Sequence, residues 1–196
     1  MELKKAADFL FELRILKYIK RAGLSYLKGP ASESVAEHSF YVSLIGWVLA
    51  ELEKVNKDKV LRMCLVHDIA ETRGGERNLI NKFYTKVPNE SKIAKEMAED
   101  IDSEIPTLVE EFWLGKEKEV QVAKDADVLA QMLTEKDCLD LGNTKAKKWL
   151  EASLKRLRTK SGKELGKELM EADADRWWME LVKKHIEKVE FLTPSP

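Results

Sequence analysis

The chain has 196 residues, 44% of them hydrophobic, enough for one domain that buries roughly 70% of its unfolded surface without disulfides or a structural metal. Its 34 lysines and arginines nearly cancel its 35 aspartates and glutamates, so no global field draws it onto nucleic acid or an anionic membrane, and small anionic molecules remain as charged ligands. Cys64 and Cys138 are far apart with no CxxC pair, which argues against a disulfide framework and a zinc ribbon and for buried reduced thiols; no stretch reaches the roughly 18 apolar residues of a membrane span, so the expected location is cytoplasmic.

Nearly every segment carries the 3.6-residue period of an amphipathic helix, and none alternates as a strand does, so the expected class is all-α. A first helix is expected over about Leu3 to Arg21, until Gly23 and the Gly29-Pro30 pair interrupt it. A second starts near Ser34, where Ser34 and Glu37 have the S-x-x-E spacing of a capping box. Val35, His38, Val42, Ile45, Leu49 and Leu52 then recur at steps of three and four, which puts His38 on the buried stripe.

A third helix from about Lys57 to Glu71 should end at Thr72-Arg73-Gly74-Gly75. Further helices are expected over 77–86, 89–104, 106–114, 117–141, 144–159 and 163–191, with Pro88 and Pro106 marking starts and Gly142 a stop. No repeat or linker divides the chain, which gives one domain over 1–192 and a disordered tail over 193–196.

Only three histidines occur, and two of them sit beside acids in apolar surroundings. Asp68 follows His67 directly; residues adjacent on a helix point about 100° apart, so this pair grips an ion only from its rim, near the helix end. A buried carboxylate is costly unless a cation or several donors compensate it, and Asp127, which shares an apolar face with Val120, Ala123 and Ala130, has the same need. Two imidazoles and two carboxylates suit Mn, Co, Fe, Ni or Zn better than calcium, and four protein ligands on an octahedral ion leave two positions for a water and a phosphate oxygen.

His38, the doublet His67-Asp68, and Asp127 together resemble the H…HD…D signature of the HD-domain superfamily of metal-dependent phosphohydrolases, and the sequence around each, Val35-Ala36-Glu37-His38-Ser39, Leu65-Val66-His67-Asp68-Ile69-Ala70-Glu71 and Ala123-Lys124-Asp125-Ala126-Asp127-Val128-Leu129, is similar too. Within it the chain looks most like the compact 5′-deoxynucleotidase subgroup, over about residues 8 to 140. The resemblance implies a single-domain helical bundle around one divalent cation (Co, Mn, Mg, Ni, Fe or Zn) held by His38, His67, Asp68 and Asp127, and removal of the 5′-phosphate from deoxynucleoside monophosphates through a metal-polarised water.

By the same resemblance Arg21, ending the pattern Lys17-Tyr18-Ile19-Lys20-Arg21, contacts the substrate phosphate, for which its planar fork is apt. Glu71 and Glu76 become catalytic acids; the family has Gly-Asp where this chain has Gly75-Glu76, and Leu24 stands where an aromatic often follows the arginine, which bears on base or sugar preference. Taken singly these residues have plainer readings: His38 as a satisfied core histidine, Arg21 as a helix-end cation, Glu71 as an exposed helix acid, Glu76 as an N-terminal helix charge. His185 reads as structural, the Trp177-Trp178 pair as core or subunit contact, and the basic run from Lys145 to Lys160 as a solvated face. The partners that follow are a nucleotide substrate and a second copy of the chain, with no nucleic acid and no membrane. Rival readings are another HD reaction, on a nucleoside triphosphate or a cyclic phosphodiester, and a non-catalytic nucleotide or metal-binding regulator.

Overall fold

The computed structural model describes residues 2–27 and 33–190, with backbone alone for the last four of these. Among the described residues there are eleven α-helices and no strand beyond an isolated antiparallel pairing of Lys20 with Ser34. The helices are α1 Leu3–Leu13, α2 Val35–Glu53, α3 Lys57–Val66, α4 Glu71–Gly74, α5 Leu79–Tyr84, α6 Glu90–Ala98, α7 Glu104–Leu114, α8 Lys118–Asp140, α9 Ala146–Arg156, α10 Lys160–Glu171 and α11 Arg176–Glu190. None of them is long and apolar enough to cross a membrane.

The centre of the molecule is α8, flanked by α2, α3, α9 and α10. Val120, Val122, Ala123, Ala126, Leu129 and Met132 of α8 lose all contact with water against Val42, Leu49, Val60, Met63 and Leu150. Each large side chain sealed in this way contributes roughly 1.5–3 kcal/mol, which is what holds α8 in register. A second cluster of Leu16, Val35, Ile69, Ala94, Met97 and Val109 packs the N-terminal segment, α6 and α7 against the start of α2. Cys64 and Cys138 are buried and reduced, as expected.

The capping box forms as its spacing predicts: the Ser34 hydroxyl accepts from the Glu37 amide at 3.2 Å, and the Glu37 carboxylate accepts from the Ser34 amide at 2.7 Å. Gly142, at φ +93°, closes α8 in a conformation open chiefly to glycine. Lysines and arginines of the basic run on α9 face solvent while Leu150 and Leu157 face α8, the amphipathic pattern read from the sequence.

Several expectations change, among them the helix over 89–104, which ends at Ala98. The first helix stops at Leu13, and Arg14–Lys17 and Ala22–Leu27 are 3-10 turns, because the main chain between them pairs sideways: Arg21 donates to the Glu33 carbonyl and Val35 to that of Ile19, both at 2.9 Å. Gly29 and Pro30 lie outside the described residues, as does the 193–196 tail. The third helix stops at Val66 rather than Glu71, followed by a turn over 67–70. The last predicted helix is two helices, since Asp173 and Asp175 satisfy local donors themselves, the Asp175 amide and the Trp178 indole. Leu52 is exposed rather than part of the buried stripe, and Trp177, Trp178 and His185 of α11 are exposed too, which removes the core reading of that pair.

Candidate functional site

The site lies where the N-terminal part of α2, the turn after α3, the short α4 and the middle of α8 meet. The periodicity of α2 puts His38 inward, with no exposed surface, and that of α8 brings Asp127 to face it, His38 Nε2 standing 3.0 Å from Asp127 Oδ1. His67 follows α3 and is sealed against Phe112 of α7, ring centroids 5.0 Å apart. Its ring centroid is 5.7 Å from that of His38.

The turn that carries His67 explains the early end of α3. His67 Nδ1 lies 2.7 Å from the Cys64 carbonyl oxygen, which can only accept, so Nδ1 carries the proton. The ring thereby takes an acceptor that a continuing helix would draw on, and tighter bonds follow, from Ile69 to Val66 and from Glu71 to Asp68. Nε2 of the neutral ring is then a bare lone pair, and it faces Asp68 Oδ2 at 3.0 Å with no hydrogen-bond partner. Two acceptors this close need a cation between them: a proton, making His67 an imidazolium, or a metal. The first possibility shows in the ring's affinity for a proton: burial opposes the charge, but Asp68 and Asp127 outweigh burial and push the pKa up to about 9.

One potential ligand atom from each of His38, His67 and Asp127 lies within 4.8 Å of the other two. Asp68 is outside that group of three; its Oδ2 stands 3.0 Å from His67 Nε2 and meets Arg21 Nη1 at 3.3 Å. Arg21 leaves its pairing with Glu33 and extends its guanidinium across the acids, with Nη1 3.6 Å from Glu76 Oε1 and Nη2 4.0 Å from Asp127 Oδ1. It is a clamp in an extended segment, so the plain reading of a helix-end cation does not hold. Burial would raise Asp127, yet the hydrogen bond and charge of His38, with His67 and Arg21, hold it well below the usual carboxylate range. Glu71 goes the other way. Burial first, then the negative Asp68 and a hydrogen bond with Glu76, push it up to about 11, so it carries a proton here and is not the exposed acid of the plain reading. Glu76 is partly buried beside Arg21 and lies outside any helix, so the reading as a helix charge does not hold.

Three residues at the site were not singled out from the sequence. Glu33 reaches to 4.0 Å from His38 Nδ1 and accepts from the Thr134 hydroxyl at 3.3 Å. Glu90, at the start of α6, has a buried oxygen without a partner and is pushed up to about 7 by burial and the charge of Asp68. Gln131 lies one helical turn beyond Asp127 and, with Arg21, Gly23, Leu24 and Glu33, lines a cleft beside the acids. That four-residue step from Asp127 was readable in advance; Glu33 and Glu90 precede or open their helices, where no period applies.

The donor set fits a divalent cation. An orphaned, fully buried Nε2, a second imidazole and an ionised carboxylate converge, and a first-row transition ion takes such mixed nitrogen and oxygen ligands.

Residues 13–172 match the family model described as HD domain; the match ends before α11. The chain is 29% identical over 156 residues to the 5′-deoxynucleotidase HDDC2 of Bos taurus, covering 73% of this chain and 74% of that one. Among solved structures it is similar to the PH0347 protein of Pyrococcus horikoshii OT3, with a TM-score of 0.68 at 25% identity over 84% of this chain and 98% of the other. The cyanophage S-2L HD phosphohydrolase DatZ, solved with dA and one catalytic Zn2+ ion, shares the fold at a TM-score of 0.51 and 20% identity over 89% and 96%. With His38, the His67-Asp68 doublet and Asp127 set in this helical frame, the chain belongs to the HD domain family.

Proposed function

We propose that this protein is a metal-dependent phosphohydrolase that removes the 5′-phosphate of nucleoside monophosphates, deoxynucleotides foremost. The observation that carries the reading is Arg21, a guanidinium within 4.0 Å of Asp68, Glu76 and Asp127 at the edge of the imidazole and carboxylate cluster. A cation that contacts these acids is also placed to take a phosphate, with two parallel donors for two of its oxygens. The bovine relative, named a 5′-deoxynucleotidase, supports the substrate class.

His38, His67, Asp68 and Asp127 hold the metal, which when bound neutralises phosphate charge and makes a water acidic enough to attack at neutral pH. Its identity is one of Co, Mn, Mg, Ni, Fe or Zn. Arg21 orients the phosphate. Glu71, protonated next to Glu76, is the group that can deliver its proton to the leaving sugar oxygen, and the proton given up by the attacking water restores the Glu71–Glu76 pair. Phe112 and the sealed His67 exclude water from the back of the site.

The working unit is one domain over residues 1–192, in the cytoplasm, acting as a homodimer. Support for the dimer comes from α2, which is apolar on both sides: Phe40, Leu44, Trp47 and Val48 point to solvent, each about half exposed, and a helix apolar all round is normally covered. On α11, Trp178, Leu181, Val182 and Ile186 form a second exposed face. Sedimentation equilibrium should give twice the chain mass, and charged residues at Leu44 and Val48 should halve it.

The test of function is phosphate release by metal-stripped protein resupplied with Co, Mn, Mg, Ni or Zn, across deoxy- and ribonucleoside mono- and triphosphates. The expected result is metal-dependent release from monophosphates, lost in Asp68→Ala. Pyrophosphate or triphosphate as product overturns the monophosphatase reading.

A further inference from the structure

We infer that Glu33 is a positioning residue, which orients His38 for the metal and ties that histidine to Arg21. The inference rests on the metal-centre reading above and goes beyond it to a residue outside the ligand set.

His38 has two ring nitrogens and only one of them is engaged. Nε2 meets Asp127, while Nδ1 is buried without a hydrogen-bond partner. The carboxylate facing Nδ1 is that of Glu33, with Oε1 4.0 Å away and the side chain only 12% exposed. Its other oxygen is fixed from α8, where the Thr134 hydroxyl donates to Oε2 at 3.3 Å. The carboxylate is therefore held between two helices and aimed at the free side of the histidine.

A ligating imidazole uses one nitrogen lone pair on the ion and needs its proton on the other nitrogen. A carboxylate facing that second nitrogen selects the tautomer, fixes the ring plane and makes the ligand more basic. His67 obtains the same service from the Cys64 carbonyl at 2.7 Å. His38 has no main-chain acceptor at Nδ1, and Glu33 fills that role by charge.

The main chain of Glu33 does a second job. Its carbonyl accepts from the Arg21 amide at 2.9 Å, and the next residue, Ser34, caps α2. One residue thus sets the distance between the phosphate clamp and a metal ligand, and its side chain also borders the cleft that Arg21, Leu24 and Gln131 line. A residue that merely bordered the cleft would affect substrate binding and leave metal binding alone, which separates the two roles.

The experiment is titration of metal-stripped wild type, Glu33→Ala, Glu33→Gln and Thr134→Val with Co2+ against a chelator. It is paired with proton NMR of the Co2+ form, in which the exchangeable Nδ1–H of a ligating histidine gives a shifted resonance. We expect Glu33→Ala to bind Co2+ roughly 10–100-fold more weakly, and Glu33→Gln and Thr134→Val to lose less, the first because its amide oxygen still accepts and the second because it only loosens the carboxylate. The His38 Nδ1–H resonance should move in Glu33→Gln with the circular dichroism unchanged, a readout that holds even where the alanine variant folds poorly. Tight wild-type binding with a folded Glu33→Ala within about twofold of it overturns the inference alone. A wild type that takes up no Co2+ overturns the metal centre and the inference together.

Discussion

His67 Nδ1 donates to the Cys64 carbonyl at 2.7 Å, and this one bond both helps to end α3 and turns Nε2 toward Asp68. The lone pair and the carboxylate are then held 3.0 Å apart by the fold itself. Metal-free protein must place a proton between them, and a divalent ion relieves the same conflict with more charge.

Metal should therefore stabilise the folded chain strongly. At a free concentration 100 times the dissociation constant, binding adds about 2.7 kcal/mol, which for a chain of this size raises Tm by roughly 5–10 °C. Differential scanning fluorimetry of stripped protein with and without Co2+ or Zn2+ checks this, and His67→Ala should abolish the shift. A ligand-free variant that still gains several degrees would place the ion elsewhere.

Arg21→Lys should cost more than a change of cation usually does. Lysine keeps the charge but loses the fork that spans Asp68, Glu76 and Asp127, so kcat/KM for a nucleoside monophosphate is expected to fall by roughly 100-fold while Co2+ affinity stays near wild type. An unchanged kcat/KM would mean that the guanidinium serves only to balance the acids.

Glu90 gives a pH dependence with a definite sign. Its ordinary value of 4.5 is raised to about 7 in the folded chain, by burial first and by Asp68 next, against the pull of Lys82, Arg77 and His67. Below 4.5 the group is protonated in both states and costs nothing; between 4.5 and about 7 the unfolded chain ionises first, and above 7 the folded chain holds a half-buried anion. Stability is thus lost as pH rises through that window. In metal-stripped protein Glu90→Gln should match wild type at pH ~4.5 and exceed it at pH ~8 by on the order of 1 kcal/mol after solvent screening, a gain read by urea unfolding at both pH values. Equal gains at the two would rule out ionisation as the cause.

Asp125→Ala should be among the most damaging substitutions outside the site. The buried carboxylate accepts from the amides of Arg158 and Thr159 at 2.9 and 2.7 Å and from the Thr159 hydroxyl at 2.8 Å, fixing the start of α10 against α8. Its loss leaves buried donors unpaired, at a cost of about 2–4 kcal/mol. Gly162→Ala should err in the same direction, since a Cβ there would collide with Asp125 and with the Thr159 hydroxyl. Thermal melts check both, and a Tm within a degree of wild type for Asp125→Ala would show these bonds to be replaceable by water.

Much of this architecture was legible in advance, for reasons that differ by residue. His38 follows a capping box and sits on a stripe of apolar residues three and four apart, so its helix and its face were both readable. The His67-Asp68 doublet was legible as chemistry but not as geometry, because a side chain that captures its own helix's carbonyl leaves no mark on hydropathy. Arg21 was expected at a helix end and instead lies in an extended segment, since its amide partner Glu33 is distant in sequence and sideways pairing of two residues has no period. Glu33 escaped notice for the same reason. The split between α10 and α11 depended on two aspartates bonding locally in place of the helix, a competition that composition alone does not resolve.

Asp125 and Asp127 stand two residues apart on α8 and so face about 200° apart, one toward the start of α10 and the other toward His38. The helix is a spacer of fixed pitch between the catalytic half of the molecule and its C-terminal third. An insertion before both aspartates would turn them together, and the loops flanking α8 could absorb it. An insertion of one residue between them would rotate one by about 100° against the other and force a choice between docking α10 and building the site. Length variation in this protein's lineage should accordingly gather at the ends of α8 and spare the three residues from Asp125 to Asp127.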